Sequence, residues 1–231
     1  MSSDDWLAVW VTLKLATTVT VLLLLIGLPL ANWLAPQDTT FKRWVSILVT
    51  MPLVLPPTVL GFYLLILLGP NGWIGQLMQS SGLSLLPFTF RGLVVASVIY
   101  SIPFVVQPLQ NVINQLDPRQ LEVAATLGAG PVDRFLTIYL PLIKPGLLTA
   151  AVLGFAHTLG EFGVILMMGG NIPGSTQVLS VLIYQHVETL NYQQAHILSL
   201  GMMAFAILLL ILVNRWQRAS VVLIKPVNHA R

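Results

Sequence analysis

Residues 121–141 read LEVAATLGAGPVDRFLTIYLP. They combine charge, small residues and helix breakers in a chain that is otherwise apolar. The full sequence has 231 residues, 56% hydrophobic and 8% charged, with mean hydropathy +0.84. A soluble domain carries about 25% charged residues, so this chain is built for lipid. About 20 apolar residues cross the roughly 30 Å hydrocarbon layer. That leaves room for five or six spans with short loops and none for a sizeable soluble domain. A lone polar insert between such spans implies that something soluble docks there, and that the insert acts as a lever on the helices beside it.

The first span is expected over about 6–34, interrupted only by Lys14, whose stem can carry its ammonium to the interface. Asp4 and Asp5, with no Lys or Arg before the apolar run, have the wrong charge for a cleaved signal peptide, so this segment is read as a retained span. The second, about 44–68, contains Met51-Pro-Leu-Val-Leu-Pro-Pro57, and three prolines there must break the helix. Either packing or a water-lined path can satisfy the freed carbonyls, and the sequence leaves both open. A loop over 69–91 holds an amphipathic piece at 73–78. The third span follows at about 92–116, the insert at 117–141, and the fourth span at about 142–168. Residues 178–184 are apolar, but Gln185, His186 and Glu188 follow at once, which predicts a half-helix. The fifth span is expected over about 196–216. The fold class is therefore an all-α integral membrane protein, one domain over 1–231, with five full spans and one half-helix.

Nine of the eleven Lys and Arg residues then fall on one side: Lys42, Arg43, Arg119, Arg134, Lys144, Arg215, Arg218, Lys225 and Arg231. Only Lys14 and Arg91 fall on the other. Positive residues favour the cytoplasmic side, so the N-terminus is expected outside, with the insert and the C-terminus in the cytoplasm. With no Cys, disulfides and thiolate metal sites are excluded, and no metal site or nucleic-acid partner is expected.

Within the insert, Asp117-Pro118 is a helix-start signal and 121–127 has helix-forming composition. Gly128-Ala-Gly-Pro131 ends that helix with a sharp turn. Pro131 opens a second helix carrying Phe135 and Ile138, which Pro141 is expected to break. Ala124, Ala125 and Gly128 offer little bulk, so a partner can approach the backbone.

The insert resembles the EAA loop of ABC importer permeases. That pattern is Glu-x-Ala, a Gly six residues after the Glu, then Ile-x-Leu-Pro, met here by Glu122, Ala124, Gly128, Ile138, Leu140 and Pro141, with Val123 in place of the middle alanine. The resemblance implies a coupling helix seated in a groove of a cytoplasmic ATPase subunit, with Glu122 and Gly128 in the docking role. The chain contains no Gly-x4-Gly-Lys-Ser/Thr loop, so ATP and Mg belong to a separate ATPase polypeptide and this chain is expected to bind no cofactor.

Residues 155–163, FAHTLGEFG, and 169–174, GGNIPG, complete the candidate set. His157 and Glu161 are four apart, which on a continuous helix is one face. Ionisable groups in a membrane are functional candidates, although a mutually satisfied pair is the structural alternative. Gly160, Gly163 and Ala156 favour close helix packing. Together with Pro56 and Pro57 these stretches look like the molybdate permease subfamily, whose near relatives handle sulfate and tungstate. The resemblance spans about 51–174.

It implies a homodimer in the inner membrane and its lipid, two cytoplasmic ABC ATPases, an external molybdate-binding protein, and alternating access lined by the Pro56/Pro57 and Gly160–Gly163 regions. A carboxylate about 4 Å from an oxyanion repels it by a few kcal/mol at an effective dielectric near 20, so Glu161 is given a structural or gating role. Asn171 and nearby amides are candidate donors at the outer mouth. A proton-coupled transporter would show inverted repeats and a relay of acids. A membrane enzyme would show paired carboxylates or an activated nucleophile. Neither pattern is found in the sequence.

Overall fold

The computed structural model describes residues 2–222, and every regular element among them is helical. The first helix, α1 (Ser3–Leu34), starts on a reciprocal cap: Ser2 Oγ accepts from the Asp5 N–H while Asp5 accepts from the Ser2 N–H. Lys14 is exposed, with Nζ 4.6 Å from the centre of the Phe90 ring. In the linker after α1, a hydrogen bond from Lys42, with Nζ 2.9 Å from Asp38 Oδ1, holds the Asp38 carboxyl below its ordinary range.

The expected second span is split. α2 (Thr40–Thr50) passes through a 3-10 turn (Met51–Leu53), and α3 (Pro57–Leu68) starts afresh after an extended Pro56. Pro52, Pro56 and Pro57 have no N–H, so the carbonyls of Leu48, Pro52 and Leu53 lose their helical donors. The apolar stretch long enough to cross is Pro57–Ser80, which joins α3 to α4 (Trp73–Ser80), rather than 44–68. α2 buries none of its residues and exposes Phe41, Trp44, Ile47 and Leu48. α5 (Phe90–Ile113) runs on through Pro103 and Pro108.

The insert folds as α6 (Arg119–Thr126), a turn, and α7 (Pro131–Arg134). A π-helical turn (Phe135–Tyr139) then leads directly into α8 (Leu140–Gly160). Pro141 was expected to break the chain here and does not. It follows the π-turn, where the ladder is already shifted, with Leu140 N–H donating to Phe135 O, so its missing N–H does not break the helix. The fourth crossing stretch is accordingly Pro131–Gly160. It stops at Gly160 instead of continuing to 168, and α9 (Gly163–Gly169) follows the interruption. The half-helix is α10 (Leu179–Glu188), and α11 (Tyr192–Val222) supplies the fifth span. Of the expected basic tail, Lys225 and Arg231 lie outside the described residues.

At the centre, α1, α5 and α8 pack around fully buried Leu15, Val19, Leu23, Val105, Val106 and Leu109. Lipid tails are as apolar as Leu, so close backbone approach and van der Waals contact must hold these helices together. Val105 is gripped between two glycines. A Cβ on Gly27 of α1 would lie 2.9 Å from Val105 Cγ1, and one on Gly154 of α8 would lie 2.9 Å from Val105 Cγ2. Replacing Gly154 by Leu should therefore cost about 1–3 kcal/mol through overpacking. The check is a lowered thermal midpoint in detergent, with Ala156→Leu, exposed on the same helix, leaving it unchanged.

Candidate functional site

The two helix interruptions face each other. Gly163, at the start of α9, lies against Pro57, at the start of α3: a Cβ there would come within 3.1 Å of Pro57 Cβ. One turn further on, a Cβ on Gly61 would lie 2.9 Å from Met167 Cβ and 3.2 Å from Val164 Cα. The pairing of α3 with α9 thus brings Pro57 and Gly163 together, as two sequence candidates from separate spans. Beside this contact Val54 (86% exposed), Pro56 and Gly160 lie open on the surface of the chain. Interrupted backbone at membrane depth is tolerated only against protein or a water-filled cavity. This face therefore requires one of those two coverings.

His157 and Glu161 do not form the expected pair on one helical face, because α8 ends between them. Glu161 is extended (φ −65, ψ 132), and Phe162 (φ −126, ψ −62) completes the turn into α9. His157 belongs to α5: its Nδ1 lies 2.8 Å from Ser101 Oγ, and its ring stacks on Phe104 at 3.8 Å between centroids, with Tyr100 at 4.8 Å. Glu161 is buried. Its carboxyl oxygens have no hydrogen-bond partner among the described residues, and the buried Ser97 hydroxyl stands beside them outside hydrogen-bond geometry. Its backbone is better held, since Ser180 Oγ of α10 donates to the Glu161 carbonyl at 2.6 Å.

Asn171, a candidate donor, is tied into the loop by two hydrogen bonds. Its Nδ2 donates to Gln185 Oε1 at 3.0 Å, and its Oδ1 accepts from Gln177 Nε2 at 2.9 Å. The same Gln177 amide donates to Gln185 at 3.0 Å. Three side-chain amides thus lock the α9–α10 loop onto the half-helix, so Asn171 positions α10 with one of its two N–H groups.

At the other end of the molecule the insert forms a knob. Asp117 Oδ1 accepts the Arg119 N–H at 3.0 Å and starts α6. The helix ends with Gly128 N–H to Ala125 O and Ala129 N–H to Ala124 O, both 3.0 Å. This double closure requires a left-handed residue, and Gly128 has φ +88. Glu122, Ala125 and Gly128 are exposed as expected. Ala124, however, is only 8% exposed and packs inward, so it fills the knob and is closed to a docking partner. Ile138 is half-buried and Pro141 exposed. The insert also exposes Val123, Leu127 and Val132, at 57%, 82% and 70%.

Residues 17–223 match the family model described as binding-protein-dependent transport system inner membrane component. The chain belongs to this family. It is 58% identical to the molybdenum transport system permease protein ModB of Azotobacter vinelandii, over 91% of this chain and 93% of the relative. It is also 32% identical to a probable sulfate transport system permease protein of Prototheca wickerhamii, over 89% and 80%. Among solved structures it is similar to the inward-facing MetNI methionine ABC transporter, with a TM-score of 0.70 at 21% identity, covering 95% of this chain and 99% of that one. That likeness concerns the fold. As a transport-system membrane component, the protein is a multi-pass membrane protein whose relatives are permeases.

Sequence reading missed several residues that hold this family member together: Ser180 on the Glu161 carbonyl, Asp5 and Thr12 under the half-helix, and Asn32 against Tyr139. Their partners are far off in the chain, so spacing carries no signal for them. The exposed Val123, Leu127 and Val132 did carry one, as apolar residues in a polar insert. Replacing Ser180 by Ala should leave the Glu161 carbonyl without that donor and lower stability by about 1–3 kcal/mol. Thermal unfolding in detergent checks this, and Ser175→Ala, exposed in the loop before α10, should be neutral.

Proposed function

We propose that this chain is the membrane-spanning subunit of an ATP-driven importer that moves molybdate by alternating access. One observation carries the mechanism: the knob and the interrupted face are ends of one continuous element. From Pro131 through the π-turn to Gly160 the helix has no break, so displacement of the knob moves the Gly160–Gly163 turn. Helix rise gives this arm a length of about 45 Å. Molybdate as substrate is supported by the 58% identity to a molybdenum permease across nearly the whole of both chains.

The membrane is the cytoplasmic one, with the N-terminus outside and the knob and C-terminus inside, a reading supported by the distribution of Lys and Arg. Two copies form the pathway, and the open face at Val54, Pro56 and Gly160 is covered by the second copy and by the water-filled path between them. A separate ATPase subunit under each copy hydrolyses ATP with Mg. It receives the knob through Val123, Leu127 and Val132, with Glu122 and Gly128 shaping the contact. An external binding protein delivers the anion. This chain carries out no covalent chemistry. Sulfate is the second reading, favoured by the relative that carries that name.

Molybdate uptake is measured in cells lacking their own system and expressing this chain with its co-encoded partners. Uptake should survive excess sulfate and fall with excess tungstate. Gly128→Val forces a left-handed residue that favours glycine. Together with Glu122→Ala it should lower uptake at least about tenfold. Competition by sulfate instead moves the substrate to sulfate, and uptake indifferent to both substitutions overturns the docking role of the knob.

A further inference from the structure

The first helix makes specific polar contacts at both of its ends, each to a different element. At the knob end the buried Tyr139, in the π-turn, donates its hydroxyl to Asn32 Oδ1 of α1 at 2.9 Å. A buried tyrosine hydroxyl needs such a partner, and a π-turn at this point marks a local departure from regular helix of the kind common at functional sites. The Phe135 ring stacks beside Tyr139, with centroids 5.6 Å apart. The insert arm therefore grips α1 as well as continuing into α8.

At the opposite end α1 holds the half-helix. The Leu179 N–H at the start of α10 donates to Thr12 Oγ1 at 2.8 Å, and Thr12 is 3% exposed. Near the end of α10, His186 Nε2 lies 3.7 Å from Asp5 Oδ1. Asp5 is 1% exposed, and its Oδ2 also accepts from Gln194 Nε2 of α11 at 2.5 Å. A buried carboxylate is costly unless its oxygens are engaged. Here the hydrogen bonds come to Oδ2 from the Ser2 N–H and from Gln194 of α11, while the His186 ring of α10 stands nearby without one. Asp5 and Asn32 are about 40 Å apart along the helix, with Leu15, Val19 and Leu23 fully buried between them. α10 is thus fastened to α1 by a hydrogen bond at its start and lies against Asp5 near its end.

Resting on the importer reading above, we infer that α1 is a second transmission rod, carrying motion of the knob from Tyr139 through Asn32 to Thr12 and Asp5, and so to α10. α8 moves the Gly160–Gly163 turn, and α1 moves the half-helix across the opposite end. Tyr139, Asn32, Thr12 and Asp5 are positioning residues for the transport step.

The test uses the whole complex, this chain with its co-encoded ATPase and binding protein in liposomes, and reads molybdate moved per ATP hydrolysed. Tyr139→Phe and Asp5→Asn should each lower that ratio about fivefold, as expected for one lost hydrogen bond. The double variant should fall no further than the worse single one, because both act in series. If Asp5→Asn fails to assemble, Thr12→Val takes its place with the same expectation. Losses that multiply, to about 25-fold, overturn the serial rod, as do variants whose ratio matches the wild type while their rates fall. A wild-type complex that moves only sulfate changes the substrate and leaves the ratio to be read with sulfate. Uptake independent of ATP overturns the importer reading and the rod with it.

Discussion

A peptide group inside hydrocarbon must find a partner, and this requirement governs where the chain can depart from a regular helix. Both departures inside the apolar mass, at Val54–Pro56 and at Gly160–Phe162, are covered on one side only, and Val54, Pro56 and Gly160 stay open on the other. Pro57 seats against Gly163, and Ser180 caps the carbonyl of Glu161. The glycines that allow α3 to lie on α9 are therefore part of the same solution as the breaks. Without Gly61 and Gly163 the two helices stand farther apart, and the interrupted segments lose the cover that makes them tolerable.

The same requirement explains why the knob end is built differently. There the chain leaves the apolar layer, so a turn closed by Gly128 and a π-turn at 135–139 are free to set direction. The result is an angled pair of short helices fused to a long one. Continuity of α7 with α8 and grip on α1 both follow from residues in a single turn, Phe135 to Tyr139. The half-helix is stabilised in the opposite manner, by many weak ties from separate elements, which include the Asn171–Gln177–Gln185 amides and the Thr12 hydroxyl.

The five spans, the half-helix and the knob were legible because each rests on local signals: apolar length, prolines at 52, 56 and 57, and the glycine after α6. Pro141 misled because a proline reads as a breaker, whereas here it follows a π-turn whose shifted ladder accommodates the missing N–H. His157 and Glu161 misled because the four-residue rule presumes an unbroken helix. The two glycines flanking Glu161 signalled a turn as well as close packing. Ala124 could not be assigned from its small size, since a small residue serves equally at a contact surface and inside a tight corner. The ties from Asn32, Asp5 and Ser180 depend on which helices meet in three dimensions, and nothing in the local pattern encodes that.

The knob separates shape from surface. Gly128, Ala124 and the two backbone closures fix its geometry, whereas the side chains of Val123, Leu127 and Val132 are exposed and take no part in those closures. Mutations at those three positions can change side-chain volume without disturbing the turn. A lineage with several related transporters in one membrane thus has a simple means of keeping its subunits from mixing, by drifting a few methyl groups at the knob and the matching groove together.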